Sequence, residues 1–334
     1  MKRTIIFYDP NRKNQRDALR ILAATGLRIE APSSIPNLEQ AITKIDPTLL
    51  ILDLEGHKYL SEAGLMPEGV QSIIMSKAGL ETIHPYLSTM SGFTNFIAKD
   101  RHDRFSNRDL LCTVVKILRN DIFGIKKYLS WGAFTTEYYV RDSSRRHEYL
   151  DCLQDYATNM RMRRSVTEAI QVIGEEFLMN AIYDAPTDQG SGQHLFNLLD
   201  RKNQVVLPPD QAIRLSFGID GKRVVVGVTD PFGSITKDKV IQYLAKCFEE
   251  RQKTNLGQDK ETAGAGLGLY FCFKHVNSLI INVLPGHQTE FIGIVEIDGS
   301  IKESNKQKTN FHFFTTDNQA IEFQKFDLRT RKFG

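Results

Sequence analysis

Most features that would mark a specialised class of protein are missing from this sequence. It has one tryptophan and only four cysteines in 334 residues. Cys112, Cys152, Cys247 and Cys272 stand far apart, with no CxxC and no histidine at a zinc-like spacing, which argues against a disulfide scaffold and a structural zinc site. The thiols read as reduced, buried groups of a cytoplasmic protein. No apolar run approaches the roughly 20 residues a membrane helix needs. The N-terminal "MKRTIIFYDPNRKNQR" returns to charge after a few apolar residues, so neither secretion nor membrane insertion is expected. The net charge is only +3 and basic clusters such as "RMRR" at 161–164 are short, which argues against a nucleic-acid partner. Repeats and low-complexity tracts are absent. With 41% apolar and 25% charged residues, the chain reads as globular and is long enough for two domains.

From residue 4 to about 120, short apolar runs alternate with helical stretches, the pattern of a parallel sheet wrapped by helices. Strands are predicted at 4–9, 27–31, 48–54, 71–76 and 94–99, with helices at 12–25, 36–45, 79–90 and 107–121. Chemistry in such folds lies at the carboxyl ends of the strands. Asp9, Asp53, Ser76 and Lys99 fall at or beside those ends.

"IIFYDP", "LLILDLEG", "SIIMSKA" and "FIAKD" give residues 1–121 a resemblance to response-regulator receiver domains. The resemblance implies a five-stranded, doubly wound (flavodoxin-like) fold. It also implies Asp53 as phosphoacceptor, Asp9 and Asp53 as magnesium ligands, Ser76 as the hydroxyl contact, Lys99 as counter-charge, and an upstream histidine kinase. A carboxylate nucleophile needs a hard cation and a nearby positive charge, so the set is chemically coherent. Tyr8 replaces the first acid of the usual pair, Asp100 replaces a proline, and the segment between Asp53 and Ser76 is short. The alternative is a receiver-shaped docking module.

Residues 122–131, "IFGIKKYLSW", form a junction. After it come a predicted strand at 134–141, a helix at 145–160 with Ser143 as its cap, and a helix opened by a capping box of Ser165 and Glu168. That last helix carries "EEFLMNAIYDAP" and stops at Pro186. Glu176 and Asn180 lie four apart on one stripe at the edge of its apolar face. Three stretches follow: "VVVGVTDPFGSI" ending a strand at Asp230 with a turn around Gly233, the glycine-rich "TAGAGLGLYFCFKHV", and "KTNFHFF", which begins with Thr309. Gly264, Gly266 and Gly268 would let backbone amides and a helix N-terminus approach phosphates. Asn180 offers magnesium an oxygen, Glu176 offers a base, and Asp230 accepts from an amino group such as that of adenine.

Taken in order, "EFLMNA", "TDPFG", "GAGLGL" and "KTNFHF" resemble the N box and glycine boxes of the GHKL ATP-binding domain shared by histidine kinases, gyrase and anti-sigma-factor kinases. The resemblance spans residues 132–316. It implies an α/β two-layer sandwich that binds ATP with Mg2+ held by Asn180. Asp230 and Gly233 would lie at the adenine, Gly264, Gly266 and Gly268 at the phosphates, Thr309 as the late threonine, and 251–263 as a lid. Phe232 stands where a glycine is usual, and Tyr183 where many relatives carry a basic residue. Arg251, Lys253 and Lys260 are the candidate substitutes for that charge. His147 reads as a surface histidine, because the two-helix hairpin of a sensor kinase is missing.

The layout is most similar to anti-sigma-factor serine kinases, in which the acid before the asparagine, here Glu176 with Glu175 less well placed, is the general base. The expectation is a cytoplasmic signalling protein whose receiver-like half controls an ATP-dependent protein kinase. Its expected partners are an anti-anti-sigma protein, a sigma factor or a phosphotransfer protein, and a homodimer is compatible with this layout. A non-catalytic ATP-binding switch and a histidine-directed kinase are the alternatives. The tail at 317–334 is unassigned.

Overall fold

The computed structural model describes residues 3–87, 93–188, 190–253, 268–297 and 308–317, with the side chains of 87, 93 and 250–253 set aside. Its first half holds β1 (Thr4–Tyr8), β2 (Arg28–Glu30), β3 (Leu49–Asp53), β4 (Gln71–Ser76) and β5 (Phe93–Ala98), with helices α1 (Arg12–Leu22), α2 (Ile35–Lys44), α3 (Leu54–Glu62), α4 (Leu80–Leu87) and α5 (Asn107–Arg119) between and after them. The strands are parallel and ordered β2-β1-β3-β4-β5, a doubly wound arrangement whose switch point lies between β1 and β3. Helix α3 was not anticipated. Its apolar stripe is weak, and it is started by the Asp53 side chain, which accepts from the Glu55 amide at 3.1 Å.

The second half contributes β6 (Thr135–Val140), α6 (Arg146–Asn159), α7 (Arg164–Met179), β7 (Ile213–Ile219), β8 (Arg223–Asp230), α8 (Lys237–Lys253), α9 (Gly268–His275), β9 (Ser278–Leu284), β10 (Gln288–Glu296) and β11 (Asn310–Thr315). The expected capping box at Ser165 does not form: α7 already begins at Arg164, and Glu168 instead pairs with Arg164 at 2.7 Å. Ser143 does not cap α6 through its side chain either. Its hydroxyl accepts from the Val205 amide, and Asp142 caps the short 3-10 turn before α6.

Both halves share one mixed sheet. Among the described residues eleven strands run in the order β2-β1-β3-β4-β5-β11-β9-β10-β8-β7-β6, so β11 lies antiparallel to β5 and parallel to β9. One face of the second half is covered by α6, α7, α8 and α9 through Leu153, Ile170, Ile173, Phe177, Leu244 and Phe273. Ile122, Ile125, Tyr128 and Leu129 pack on the opposite face against Val225, Ile280 and Ile292. The 122–131 junction is therefore a packed layer and not a free linker. A side chain at Gly227 would place its Cβ 2.6 Å from Ile125 Cγ2, so glycine there admits the close approach.

Helix α5 is bound to the second half by polar contacts. Arg223 pairs with Asp109 at 2.9 Å, Arg108 with Asp220 at 3.2 Å, and Asn310 donates to Asp109 while accepting from the Ala98 amide. Deeper, Lys116 donates to Asn282 at 2.8 Å and to the Tyr128 hydroxyl, and sits 3.8 Å from the centre of the Phe314 ring. Asn282 donates to Glu290, which also receives the Gly124 amide.

Burial pulls the Lys116 ammonium down to about 7, against the opposing pull of Cys112 and Glu290. The unfolded lysine titrates near 10.4, so between about pH 7 and about pH 10 the unfolded chain holds the extra proton and stability rises with pH. Lys116→Met is expected to remove this rise, which has a limiting slope of about 1.4 kcal/mol per pH unit. Urea unfolding of parent and variant at neutral and alkaline pH checks it, and parallel pH profiles would refute it.

Candidate functional site

Helix α7 buries Val166, Ile170, Ile173 and Phe177 and presents Glu176 on a flanking stripe. It does not stop at Met179 but widens into a π turn over Asn180–Asp184, closed by the Ala185 amide donating to the Asn180 carbonyl at 2.9 Å. Such turns re-aim side chains and are frequent at functional sites. Glu176, Asn180 and Asp184 thereby line one cavity of about 520 Å³, enclosed by α7, β8, β10 and the starts of α8 and α9.

Asp230 enters the cavity from the end of β8. Burial raises its carboxyl to about 7, opposed by the backbone amides of Phe232, Gly233 and Thr289. The Phe232 amide donates to its Oδ1 at 2.9 Å. Thr289 on β10 is the direct register partner of Asp230 and lines the same cavity. Thr289 carries no signature of its own in the sequence, and Thr309, the expected late threonine, does not reach the cavity: its hydroxyl is hydrogen-bonded to the carbonyls of Phe273 and Val276 at the end of α9. Gly233 does not line the cavity either. It takes φ +60°, and a Cβ there would lie 2.2 Å from the Leu284 carbonyl oxygen, so it seats the β9–β10 turn. Phe232 is buried in the core of the second half.

Gly268 is the first residue of α9, and its α-carbon faces the Glu176 carboxylate so closely that a Cβ would fall 1.8 Å from Glu176 Oε2. The carboxylate thus occupies the mouth of a helix N-terminus, a place that suits an anion. Burial raises the Glu176 pKa, Arg201 lowers it, and Glu175 and Asp184 raise it further. Glu175 itself is tied to Arg146 at 3.0 Å. Gly264, Gly266 and Lys260 lie outside the described residues, as do the side chains of Arg251 and Lys253. His147 is exposed on α6.

The segment between α7 and β7 supplies the rest of the lining, including His194, Asn197 and Arg201. Arg201 pairs with Asp184 at 2.9 Å. Tyr183 is fully buried, and its hydroxyl donates to the Asn203 carbonyl at 2.7 Å and lies 3.1 Å from that of Arg201.

A second polar cluster sits at the carboxyl ends of β1, β3 and β5. Lys99 Nζ lies 2.8 Å from Asp9 Oδ2, 2.7 Å from Asp53 Oδ2 and 3.5 Å from Asp103 Oδ1. Asp9 also accepts from the Asn11 amide and from Asn14, and burial raises its pKa despite Lys99. The Ser76 hydroxyl accepts from the Ala78 amide at 2.9 Å. Tyr8 fills the space against Gly56, where a Cβ would come 2.4 Å from its ring. The oxygens of Asp9 and Asp53 are thus committed to lysine and amide donors, and no group of three metal-binding side chains converges among the described residues. In this arrangement an incoming magnesium ion would have to displace Lys99 from Asp9 and Asp53.

No protein-family model and no curated protein matches the chain. Solved structures similar to part of it include a CheY-like response regulator receiver domain protein from Methanospirillum hungatei JF-1, at 21% identity over 36% of this chain and 96% of that one, with a TM-score of 0.31. The receiver domain of the Francisella response regulator 1452 is 16% identical over 36% of this chain and 98% of its own, with a TM-score of 0.29. A LuxR family DNA-binding response regulator from Silicibacter pomeroyi is 20% identical over 38% of this chain and 99% of its own, also at 0.29. The strand order β2-β1-β3-β4-β5 gives the N-terminal third a flavodoxin-like, doubly wound architecture, with Asp9, Asp53 and Lys99 at its strand ends.

Proposed function

We propose that this chain is a signalling protein in which the receiver-like half regulates a GHKL-type second half, which binds Mg-ATP and phosphorylates a protein partner on a hydroxyl. The observation that carries the reading is the convergence of Glu176, Asn180, Asp230 and Gly268 on one cavity from three separate stretches of the chain. Adenine recognition falls to Asp230 with Thr289 beside it. Asn180 would supply one oxygen to the magnesium ion, the remainder coming from phosphates and water. Bound ATP supplies the transferable phosphoryl group. Glu176 would hold the proton of the attacking hydroxyl, and its raised pKa brings it closer to the range in which a carboxylate is an effective base.

The Lys99 cluster, in which Asp9 and Asp53 are already paired with one lysine and with amide donors, favours a second reading of the N-terminal half, as a docking module that works without phosphorylation at Asp53. Sequestering a partner without transfer stays the alternative for the second half. The two readings of the second half differ in whether Glu176 matters to turnover.

Calorimetry should show magnesium-dependent ATP binding that is lost in Asn180→Ala. Glu176→Gln should keep the affinity and lower ADP formation by roughly a hundredfold or more. Unchanged turnover in Glu176→Gln would rule out the kinase reading and leave the switch.

Asp230 makes a separate prediction about pH. A carboxyl that titrates near 7 in the empty cavity must ionise to accept best from an amino group. Adenosine, which has no phosphate to titrate, should therefore bind roughly tenfold more tightly at about pH 8 than at about pH 6. Asp230→Asn should flatten that dependence. A flat profile in the parent protein would remove Asp230 from base recognition.

A further inference from the structure

The absence of a basic residue at position 183 leaves a chemical deficit at a phosphate site, and the fold fills it from elsewhere. The cavity is lined by the carboxylates of Glu175, Glu176, Asp184 and Asp230, and a polyphosphate would add more negative charge. Among the described residues only Arg201 and Lys239 bring full positive charge to the lining. Lys239 is exposed on the first turn of α8 and free to stay in solvent. Arg201 is half-buried, held by Asp184, and close enough to Glu176 to depress its pKa. Because Glu176 stands against the first residue of α9, Arg201 and that helix N-terminus flank the same part of the cavity.

What fixes Arg201 is the residue that replaced the expected cation. The Tyr183 hydroxyl is hydrogen-bonded to the carbonyls of Arg201 and Asn203, so the ring, locked in the core of the second half from the π turn, sets the position of the loop that carries the guanidinium. His194, from the same segment, lies beside Asp184 with its Nδ1 buried and without a partner.

Resting on the nucleotide reading above, we propose that Arg201 is the phosphate-binding cation of the cavity and that Tyr183 is the positioning residue that presents it. In the empty cavity Asp184 stores the guanidinium. When a nucleotide enters, the planar fork turns to the phosphate oxygens, which it can grip in bidentate fashion. The segment between α7 and β7 thereby does the work that a basic side chain on the helix would otherwise do.

The test is calorimetry on the full chain with Mg-ATP and with adenosine. Arg201→Ala should weaken Mg-ATP roughly tenfold to a hundredfold and leave adenosine unchanged. Tyr183→Phe should weaken Mg-ATP by a smaller factor, again sparing adenosine, and Arg201→Lys should recover part of the loss. Lys239→Ala should have little effect. Equal Mg-ATP affinity in the parent and Arg201→Ala would overturn the proposal while leaving the nucleotide site standing. So would a matching loss of adenosine, since it would mean that the loop is merely structural. A parent protein that binds neither ligand would remove the nucleotide reading and this inference together.

Discussion

Strand β11 is the element on which the architecture depends. A sheet edge left open presents unpaired amides and carbonyls that invite association with other chains. Both β5, the last strand of the receiver-like half, and β9 of the second half would have such an edge. β11 closes both at once, pairing Phe311 with Phe96 and His312 with Asn95 on one side and running in register with β9 from Ser278 to Val283 on the other. Its alternation serves two cores: Phe311 and Phe313 point to the helical face, while Phe314 points to the layer made by residues 122–129. His312 fits there because burial drives its imidazole down to about 3, so it stays neutral and accompanies Asn95 at 3.0 Å without an unpaired charge.

A shared sheet changes how the two halves can communicate. Hinge motion between them would break backbone hydrogen bonds in the sheet interior, so any coupling between them would have to run through side-chain rearrangement on its faces. Two routes exist in the packing. On the helical face, α4 meets the second half through Glu81 with Lys274 at 2.5 Å and through His84 against the Phe248 ring, and Lys274 belongs to α9, whose first residue lines the cavity. On the other face, Lys116 of α5 reaches Glu290 through Asn282, and Glu290 is the chain neighbour of Thr289, which lies in the cavity beside Asp230. Each route joins a receiver-side helix to one wall of the cavity by contiguous contacts. Contiguity is a necessary condition for energetic coupling, and coupling itself is a matter of free energies.

Most of what was legible in the sequence was periodic. The five parallel strands and four of the five helices of the first half announce themselves by apolar residues at their own spacing, buried in every strand but the edge strand β2. Helix α3 does not, since a carboxylate cap at Asp53 and contact with Tyr8 hold it in place of a strong stripe. Of the residues that line the cavity, Glu176, Asn180, Asp230 and Gly268 were readable because residues at helix turns, strand ends and glycine loops carry local signatures. Thr289 was not, because its place beside Asp230 comes from antiparallel register, and a single threonine in an apolar strand has no signature of its own. Arg201 was hidden for a related reason: its place in the lining depends on an ion pair and a tyrosine hydroxyl seventeen to eighteen residues earlier in the chain.

The pairing of charge in the two polar clusters separates what each can do. At the receiver-like end one lysine meets three carboxylates, and the amides of Asn11 and Glu55 and the side chain of Asn14 complete their coordination, so the cluster is satisfied from within. A group of this kind stiffens the strand ends that hold it, and an incoming cation would have to displace Lys99. The cavity of the second half differs in how far its acids are paired, not in the sign of its charge. Burial raises the pKa of Asp230, Glu176 and Asp184, and Glu176 has settled against a helix N-terminus. Such a lining is incomplete by itself, since buried acids are stabilised by donors and cations that the protein supplies only in part. A cation or an amino-bearing group would relieve that imbalance, whereas a polyphosphate would add to it even with one magnesium ion bound, so an anionic ligand would lean on Arg201 and on the start of α9.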